Sequence, residues 1–208
     1  MKIAILGTGR VGCTLATIWA KLGHDIMLGS REAARGQQVA AGLNHPQISG
    51  GNLISACEHG DVILFAFPWY ALTDIARAVG KLQGKIIIDC INPMTSSGSL
   101  ALGHKRSAGE EIGKEFPLAK PIKAFNHIYL DHFADPMFSG QAANAFYCSN
   151  FDDAKAAVIQ LATEMGFEPL DLGPLKQARY LEPFAVMWIH MAFYIGMGPE
   201  FTLKMVPR

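Results

Sequence analysis

Two clusters of residues in this 208-residue chain have the types and spacing needed to hold a large anion. The first is GTGRVG, Gly7 to Gly12, a G-x-G-x-x-G run. It follows the apolar stretch KIAIL and opens a segment whose Val11, Leu15, Ile18 and Leu22 share one helical face. In that setting Gly7 permits a tight turn, Gly9 lets the backbone approach a pyrophosphate, and Gly12 lets the helix lie close to the sheet. Free N–H groups and a partial positive charge at the helix start favour an anion there. The other reading is a glycine-rich turn that binds nothing.

The second cluster is Ser30, Arg31 and Arg35 in LGSREAARG. An NAD-binding fold places Asp or Glu about 20 residues beyond the loop, to hold the adenosine ribose. Here Ser30 and Arg31 stand at that place. Serine can donate to a 2′-phosphate, and arginine can grip it with two parallel N–H donors and a full charge. Arg35, one helical turn on, can face the same anion. These residues point to NADP(H). Two other readings stay open: Glu32 swings in to hold a ribose, giving NAD or dual use, or the arginines are an ordinary solvated face.

Two long loop-like stretches, Asn92–Glu110 and Asn126–Gly140, follow predicted strands and read as a binding site or its lid. In the second, His127 or Tyr129 is a candidate proton donor. His127, Asp131 and His132 have a spacing that permits a metal, but they read as polar loop residues beside a pocket, and no metal is expected. Cys13 falls in the first helical turn and reads as a small buried residue under the phosphate loop. His190, in an apolar helix, reads as a core or interface histidine.

The elements that must position these residues alternate strand and helix. Strands are expected at KIAIL (Lys2–Leu6), DIML (Asp25–Leu28), DVILFAF (Asp61–Phe67), KIIID (Lys85–Asp89), PIKAFN (Pro121–Asn126), NAFYCS (Asn144–Ser149) and EPLDL (Glu168–Leu172). Helices are expected after Gly7–Gly12, over Arg31–Ala41, around Ala71–Val79, and from a cap at Asp152 to a stop at Gly166, with the remainder helical. That alternation, with strands buried on both faces, predicts an α/β, Rossmann-type, doubly wound and mostly parallel sheet with a short C-terminal helical segment. Residues 1–170 are expected to form the NADP-binding domain. Residues 171–208 are expected to complete the acceptor pocket and supply a homodimer contact, because the apolar run Phe184–Gly198, Trp188 included, is apolar on nearly every face.

Composition narrows the class. Lys plus Arg equals Asp plus Glu, at 18 each, so no nucleic-acid partner is expected. The run Phe184–Gly198 is too short to cross a bilayer, and the N-terminus has no signal-peptide pattern, so no membrane partner and a cytoplasmic setting are expected. The four cysteines, Cys13, Cys57, Cys90 and Cys148, are scattered and read as reduced thiols.

The segments GTGRVG, GSREAAR, FPWYAL, KAFN and EPLDLGPLKQARYLE occur in this order and at similar spacing in the deazaflavin-dependent NADP reductases. From Met1 to about Gly198 the chain resembles the coenzyme F-420-dependent NADP oxidoreductase family. It is also similar to the NADPH-binding domain of the STEAP ferric reductases. The most specific part is LDLGPLKQAR, Leu170–Arg179. The resemblance implies hydride transfer between NADP(H) and a flavin-like ring: deazaflavin (coenzyme F-420), FMN or FAD. It places Thr8, Gly9, Arg10 and Val11 on the pyrophosphate, and Ser30, Arg31 and Arg35 on the 2′-phosphate. Phe67, Pro68 and Trp69 would line the cofactor's middle. Asn92, Pro93, Ala124, Phe125 and Asn126 would surround the nicotinamide. Asn126 stands where the deazaflavin enzymes carry a histidine, and in this it is closer to the ferric-reductase domains.

Stacked rings need near-attack geometry more than a side-chain acid or base, so no catalytic side chain is assigned. Two alternatives stand beside this reading: an NADPH-dependent reductase of a small imine or oxo compound, and a non-catalytic NADP(H) sensor.

Overall fold

The computed structural model describes residues 1–206; Pro207 and Arg208, the end of the expected C-terminal segment, lie outside the described residues. The first strand, β1 (Lys2–Leu6), shows why a sheet forms and how it is covered. Ile3 and Ile5 point into one core layer, Ala4 and Leu6 into the other, and all four are fully buried. A strand buried on both faces belongs in the middle of a parallel sheet.

Around it run β2 (Asp25–Ser30), β3 (Ile48–Asn52), β4 (Val62–Phe65), β5 (Ile86–Asp89), β6 (Lys120–Ala124), β9 (Asn144–Ser149) and β10 (Glu168–Asp171). The eight strands lie in the order β10-β9-β6-β5-β4-β1-β2-β3. Those from β6 to β3 are parallel, while β9 runs antiparallel to β6, and β10 runs parallel to β9. The expected mostly parallel, doubly wound sheet is the one observed. A two-residue hairpin, β7 (Met137–Phe138) and β8 (Gln141–Ala142), stands apart.

One layer packs α1 (Arg10–Lys21) and α6 (Asp152–Glu164) on the sheet. There Leu15, Trp19, Val158 and Leu161 meet Ile3, Ile5 and Ile122. The opposite layer holds α3 (Leu53–His59), α4 (Leu72–Val79) and α5 (Ala108–Glu115), through Leu53, Ile75 and Phe116. The remaining helices are α2 (Ala33–Leu43) and α7 (Ala178–Ile189).

Several expectations are corrected. Helix α2 starts at Ala33, so Arg31 precedes it and is not one helical turn before Arg35 on a continuous helix. Asp152 is the first residue of α6 rather than its cap, and Phe151 holds the cap position without a side-chain bond. The C-terminal residues are not helical throughout. Helix α7 runs into a π turn, His190–Tyr194, and residues 201–206, in neither helix nor strand, return against Ala142, Asn144 and Glu168 at the β9–β10 edge. Trp188 Nε1 donates to the Phe201 carbonyl at 3.2 Å, the two rings stack with centroids 5.1 Å apart, and Asn144 Oδ1 accepts from Met205 N at 2.8 Å. Trp188 is therefore buried within its own chain, at 5% exposure, and not at an outward contact. His190 is exposed and stacks on Tyr194, so it is not a core histidine.

Candidate functional site

Between β1 and β4 the strand order reverses, the place where open α/β sheets bind ligands. The loop after β1 is shaped by close backbone approaches. Gly7 has φ +128°, and a Cβ there would stand 2.1 Å from the Ala66 carbonyl oxygen. A Cβ on Gly12 would stand 2.2 Å from the Gly7 carbonyl oxygen, so α1 is pressed onto its own loop. Gly9 differs: nothing lies within 4 Å of its would-be Cβ. The fold leaves that space free, and it lies at the N-terminus of α1, whose cap makes no side-chain hydrogen bond and whose first turn has no acid. That is the setting an anionic pyrophosphate needs.

A cleft of about 520 Å³ runs from this loop. It collects Gly7, Thr8, Gly9, Ser30, Arg31, Phe67 and Pro68, together with Leu53, Tyr70 and Ile75. Ser30 closes β2, and Arg31 is exposed with no ion-pair partner among the described residues. Arg35 does not line the cleft; its Nη1 donates to Gln38 Oε1 at 3.3 Å. Its charge nevertheless reaches Cys13 on the first turn of α1, where burial raises the thiol and Arg35 partly opposes that rise. Cys57, Cys90 and Cys148 are pushed up to about 12, chiefly by burial, and stay protonated.

A second cavity of about 240 Å³ lies beyond α1. Val11, Asn92, Phe125 and Asn126 line it together with Tyr129, Phe133, Ala185, Trp188, Ile189 and Phe193. Asn92 and Asn126 lock together: Asn126 Nδ2 donates to Asn92 Oδ1 at 2.8 Å, and Asn92 Nδ2 donates to the Asn126 carbonyl at 2.8 Å. Asn126 Nδ2 also donates to the Leu181 carbonyl at 3.2 Å, which leaves its buried Oδ1 without a partner. Phe125 takes φ +63°, left-handed backbone in a buried, non-glycine residue. Such a conformation costs on the order of 1–3 kcal/mol and persists only where the surroundings enforce it.

Arg10 and Trp69 line neither cavity, and neither does Pro93. Ala124 is fully buried in the core and lines neither cavity. His127 lines the second cavity, but burial lowers its pKa to about 4, so the ring is neutral near pH 7. Asp131 is exposed, whereas His132 is buried against Phe138, and no group of three or more candidate metal-binding side chains gathers among the described residues.

A buried ionic network behind the second cavity was not expected from the sequence. Lys123 Nζ lies 2.8 Å from Asp89 Oδ2 and 2.8 Å from Glu182 Oε1, and all three side chains are essentially unexposed. Glu182 also accepts from the Ala108 and Gly109 amides at 3.0 and 3.1 Å, where the α5 dipole favours a carboxylate. Burial works against the Lys123 ammonium, but the two carboxylates outweigh it and hold its pKa above the ordinary lysine value. Burial also lifts the Asp89 carboxyl. Beside the network, Arg179 grips Glu110 with two bonds, at 2.7 and 2.6 Å. Both Arg179 and Glu182 lie in or just after the LDLGPLKQAR segment.

The fold and the loop are those of a dinucleotide-binding α/β protein. Residues 2–93 match the family model "NADP oxidoreductase coenzyme F420-dependent", and the chain resembles that family over most of its length. It is 27% identical over 208 residues to the F420-dependent NADP reductase of Methanothermobacter marburgensis, covering 92% of each chain. It is 30% identical over 181 residues to the metalloreductase STEAP3 of Rattus norvegicus, covering 87% of this chain but only 36% of that relative's length. The crystal structure of a candidate F420-dependent NADP-reductase from Arthrobacter sp. FB24 superposes with a TM-score of 0.90, at 29% identity and full coverage of both chains. An imine reductase from Aspergillus terreus superposes at 0.70 with 18% identity, which shows a shared fold.

Proposed function

We propose that the chain transfers a hydride between NADP(H) and a planar redox ring, a flavin or a deazaflavin. The observation that carries this reading is the second cavity, which opens beside Asn92 and Asn126 and is walled by Phe125, Tyr129, Phe133, Trp188 and Phe193. Flat aromatic walls suit a flat ring and exclude water from it. When bound, the nicotinamide supplies the hydride; the chain's own residues bind and orient.

Thr8, Gly9, Arg10 and Val11 present the α1 N-terminus to the pyrophosphate. Ser30 and Arg31 hold the 2′-phosphate, with Arg35 adding charge from α2. Phe67 and Pro68 flank the cofactor's middle, and Asn92, Phe125 and Asn126 the nicotinamide. Asn126 Oδ1 is buried and unpartnered at the floor of the second cavity. Residues 1–170 form the NADP-binding part, and α7 with its π turn completes the acceptor pocket through Ala185, Trp188 and Ile189.

An imine or oxo substrate would need a proton donor. His127 is neutral near pH 7, and Tyr129 on the same cavity wall is the other candidate donor. A second copy of this chain is the partner we assign to the exposed apolar patch of Met187, Phe193, Ile195 and Met197. No helix among the described residues is long and apolar enough to cross a membrane, and we assign a cytoplasmic setting.

The test is NADPH oxidation in parallel with deazaflavin, FMN, FAD, ferric chelates and a panel of imines and ketones. Turnover with a ring acceptor supports the reading; turnover confined to imines or ketones overturns it.

A further inference from the structure

We propose that Glu182 is a positioning residue that fixes the orientation of the Asn126 amide through the Leu181 carbonyl. The inference rests on the placement of the nicotinamide beside Asn126 given above.

Both hydrogens of Asn126 Nδ2 are used. One goes to Asn92 Oδ1 at 2.8 Å and the other to the Leu181 carbonyl at 3.2 Å. With both donors committed, the amide cannot flip, and Oδ1 is left as a buried acceptor with no protein partner. The orientation is only as firm as the atoms that accept from it, and both are rooted beside the ionic network. Leu181 immediately precedes Glu182. Asn92 immediately follows Ile91, whose carbonyl accepts from Lys123 Nζ and whose N–H donates to Asp89 Oδ1 at 2.8 Å. Asn126 itself lies three residues beyond Lys123 on the same chain segment.

Glu182 is the member that ties the helix to this floor. Its carboxylate takes the Ala108 and Gly109 amides and the Lys123 ammonium at once, at 3.0, 3.1 and 2.8 Å. A carboxylate with that many charge-assisted bonds, fully buried, leaves the first turns of α7 little freedom to slide. The left-handed backbone at Phe125 is the counterpart of this clamp. The strained peptide turns Asn126 toward Leu181, and the clamp keeps Leu181 where that turn requires it. On the same helix, Ala185 and Ile189 line the acceptor cavity three and seven residues on, so one clamp sets both walls against each other.

The experiment is a double-mutant cycle with E182Q and N126A, read by two ligands. Adenosine 2′,5′-bisphosphate reports the phosphate end alone, and NADPH reports both ends. E182Q is expected to bind the bisphosphate as the parent does and to lose about tenfold in NADPH affinity. In the N126A background E182Q should cause no further loss, because its effect passes through the missing amide. Two independent, multiplying losses would overturn the proposal, as would an E182Q protein that binds NADPH like the parent while N126A does not. If N126A alone leaves NADPH affinity unchanged, the placement of the nicotinamide fails, and the inference falls for that separate reason. E182D, which keeps the charge but shortens the reach, serves if E182Q does not fold. Failure of both to fold overturns the proposal, since the network would then support the whole domain rather than one amide.

Discussion

Asn92 and Asn126, 34 residues apart in sequence, bond to each other twice: amide to amide at 2.8 Å, and amide to backbone carbonyl at 2.8 Å. The pair joins the segments that follow β5 and β6 and closes the floor of the second cavity. Asn92→Ala removes both bonds and leaves the Asn126 carbonyl without that donor. The expected loss is about 1–3 kcal/mol of stability, with slower NADPH oxidation, checked by thermal melts and steady-state rates. A variant with parent-like melting and turnover would show that the pair is incidental.

Gly9 and Gly12 should respond in opposite ways. Gly9→Val meets open space, so the chain should fold with a parent-like melt and yet bind neither NADPH nor NADH. Gly12→Ala drives a Cβ into the Gly7 carbonyl oxygen at 2.2 Å and should lower the melting temperature whether or not cofactor is present. NADPH binding by a folded Gly9→Val protein would mean that the pyrophosphate lies elsewhere.

Arg31 should set the choice between cofactors. One arginine–phosphate contact contributes about 1.5–3 kcal/mol, so NADPH should bind about tenfold or more tightly than NADH. Arg31→Ala should erase most of that gap and leave NADH binding nearly unchanged. Calorimetric titration with each cofactor decides it. Equal affinities in the parent protein would return Glu32 to consideration as a ribose ligand.

These local features were the most legible part of the sequence. GTGRVG and LGSRE are contiguous, and the strand before each is a short apolar run, so type and spacing are enough to read them. What lay beyond reach depends on contacts distant in sequence. Strand β3 reads ISGGN, with two glycines and little side chain to mark a strand. Gly50 is needed there because α2 crosses so closely that a Cβ on it would stand 2.1 Å from the Gly36 carbonyl oxygen. Asp89, Lys123 and Glu182 look like ordinary charges until the fold buries them together. The returning tail is held by Trp188, Lys204 and Met205 contacts that no local pattern announces.

Stability should fall as pH falls from about 6.5 toward 4, in part through His127. Burial depresses its folded-state pKa to about 4, while the unfolded ring titrates near about 6.5. Between those values the unfolded chain binds more protons, so stability rises with pH across the window and is lost on acidification. His132, also lowered chiefly by burial, acts in the same direction. Chemical denaturation at a series of pH values should show a shallower slope for His127→Gln than for the parent. An unchanged slope would mean that the imidazole is already solvated in the folded chain.

Self-association should depend on the outer face of the C-terminal turn rather than on Trp188. Phe193, Ile195 and Met197 are more than half exposed, whereas Trp188 is packed between Tyr129 and Phe201. Light scattering should find a dimer for the parent and a monomer for Ile195→Glu, with unchanged NADPH affinity. Trp188→Glu should instead destabilise the chain itself. A parent protein that is monomeric at micromolar concentration would leave the patch to another use.

The most direct test of hydride transfer to a ring is a single-turnover experiment with NADPH deuterated at C4, mixed with flavin and deazaflavin acceptors in turn. The account predicts that, for at least one ring, NADPH oxidation and bleaching of the acceptor follow the same time course. It predicts also that deuterium slows both together, because the transferred hydride is the one removed from C4. NADPH that is consumed only with an imine or ketone present, while every ring keeps its colour, would contradict it.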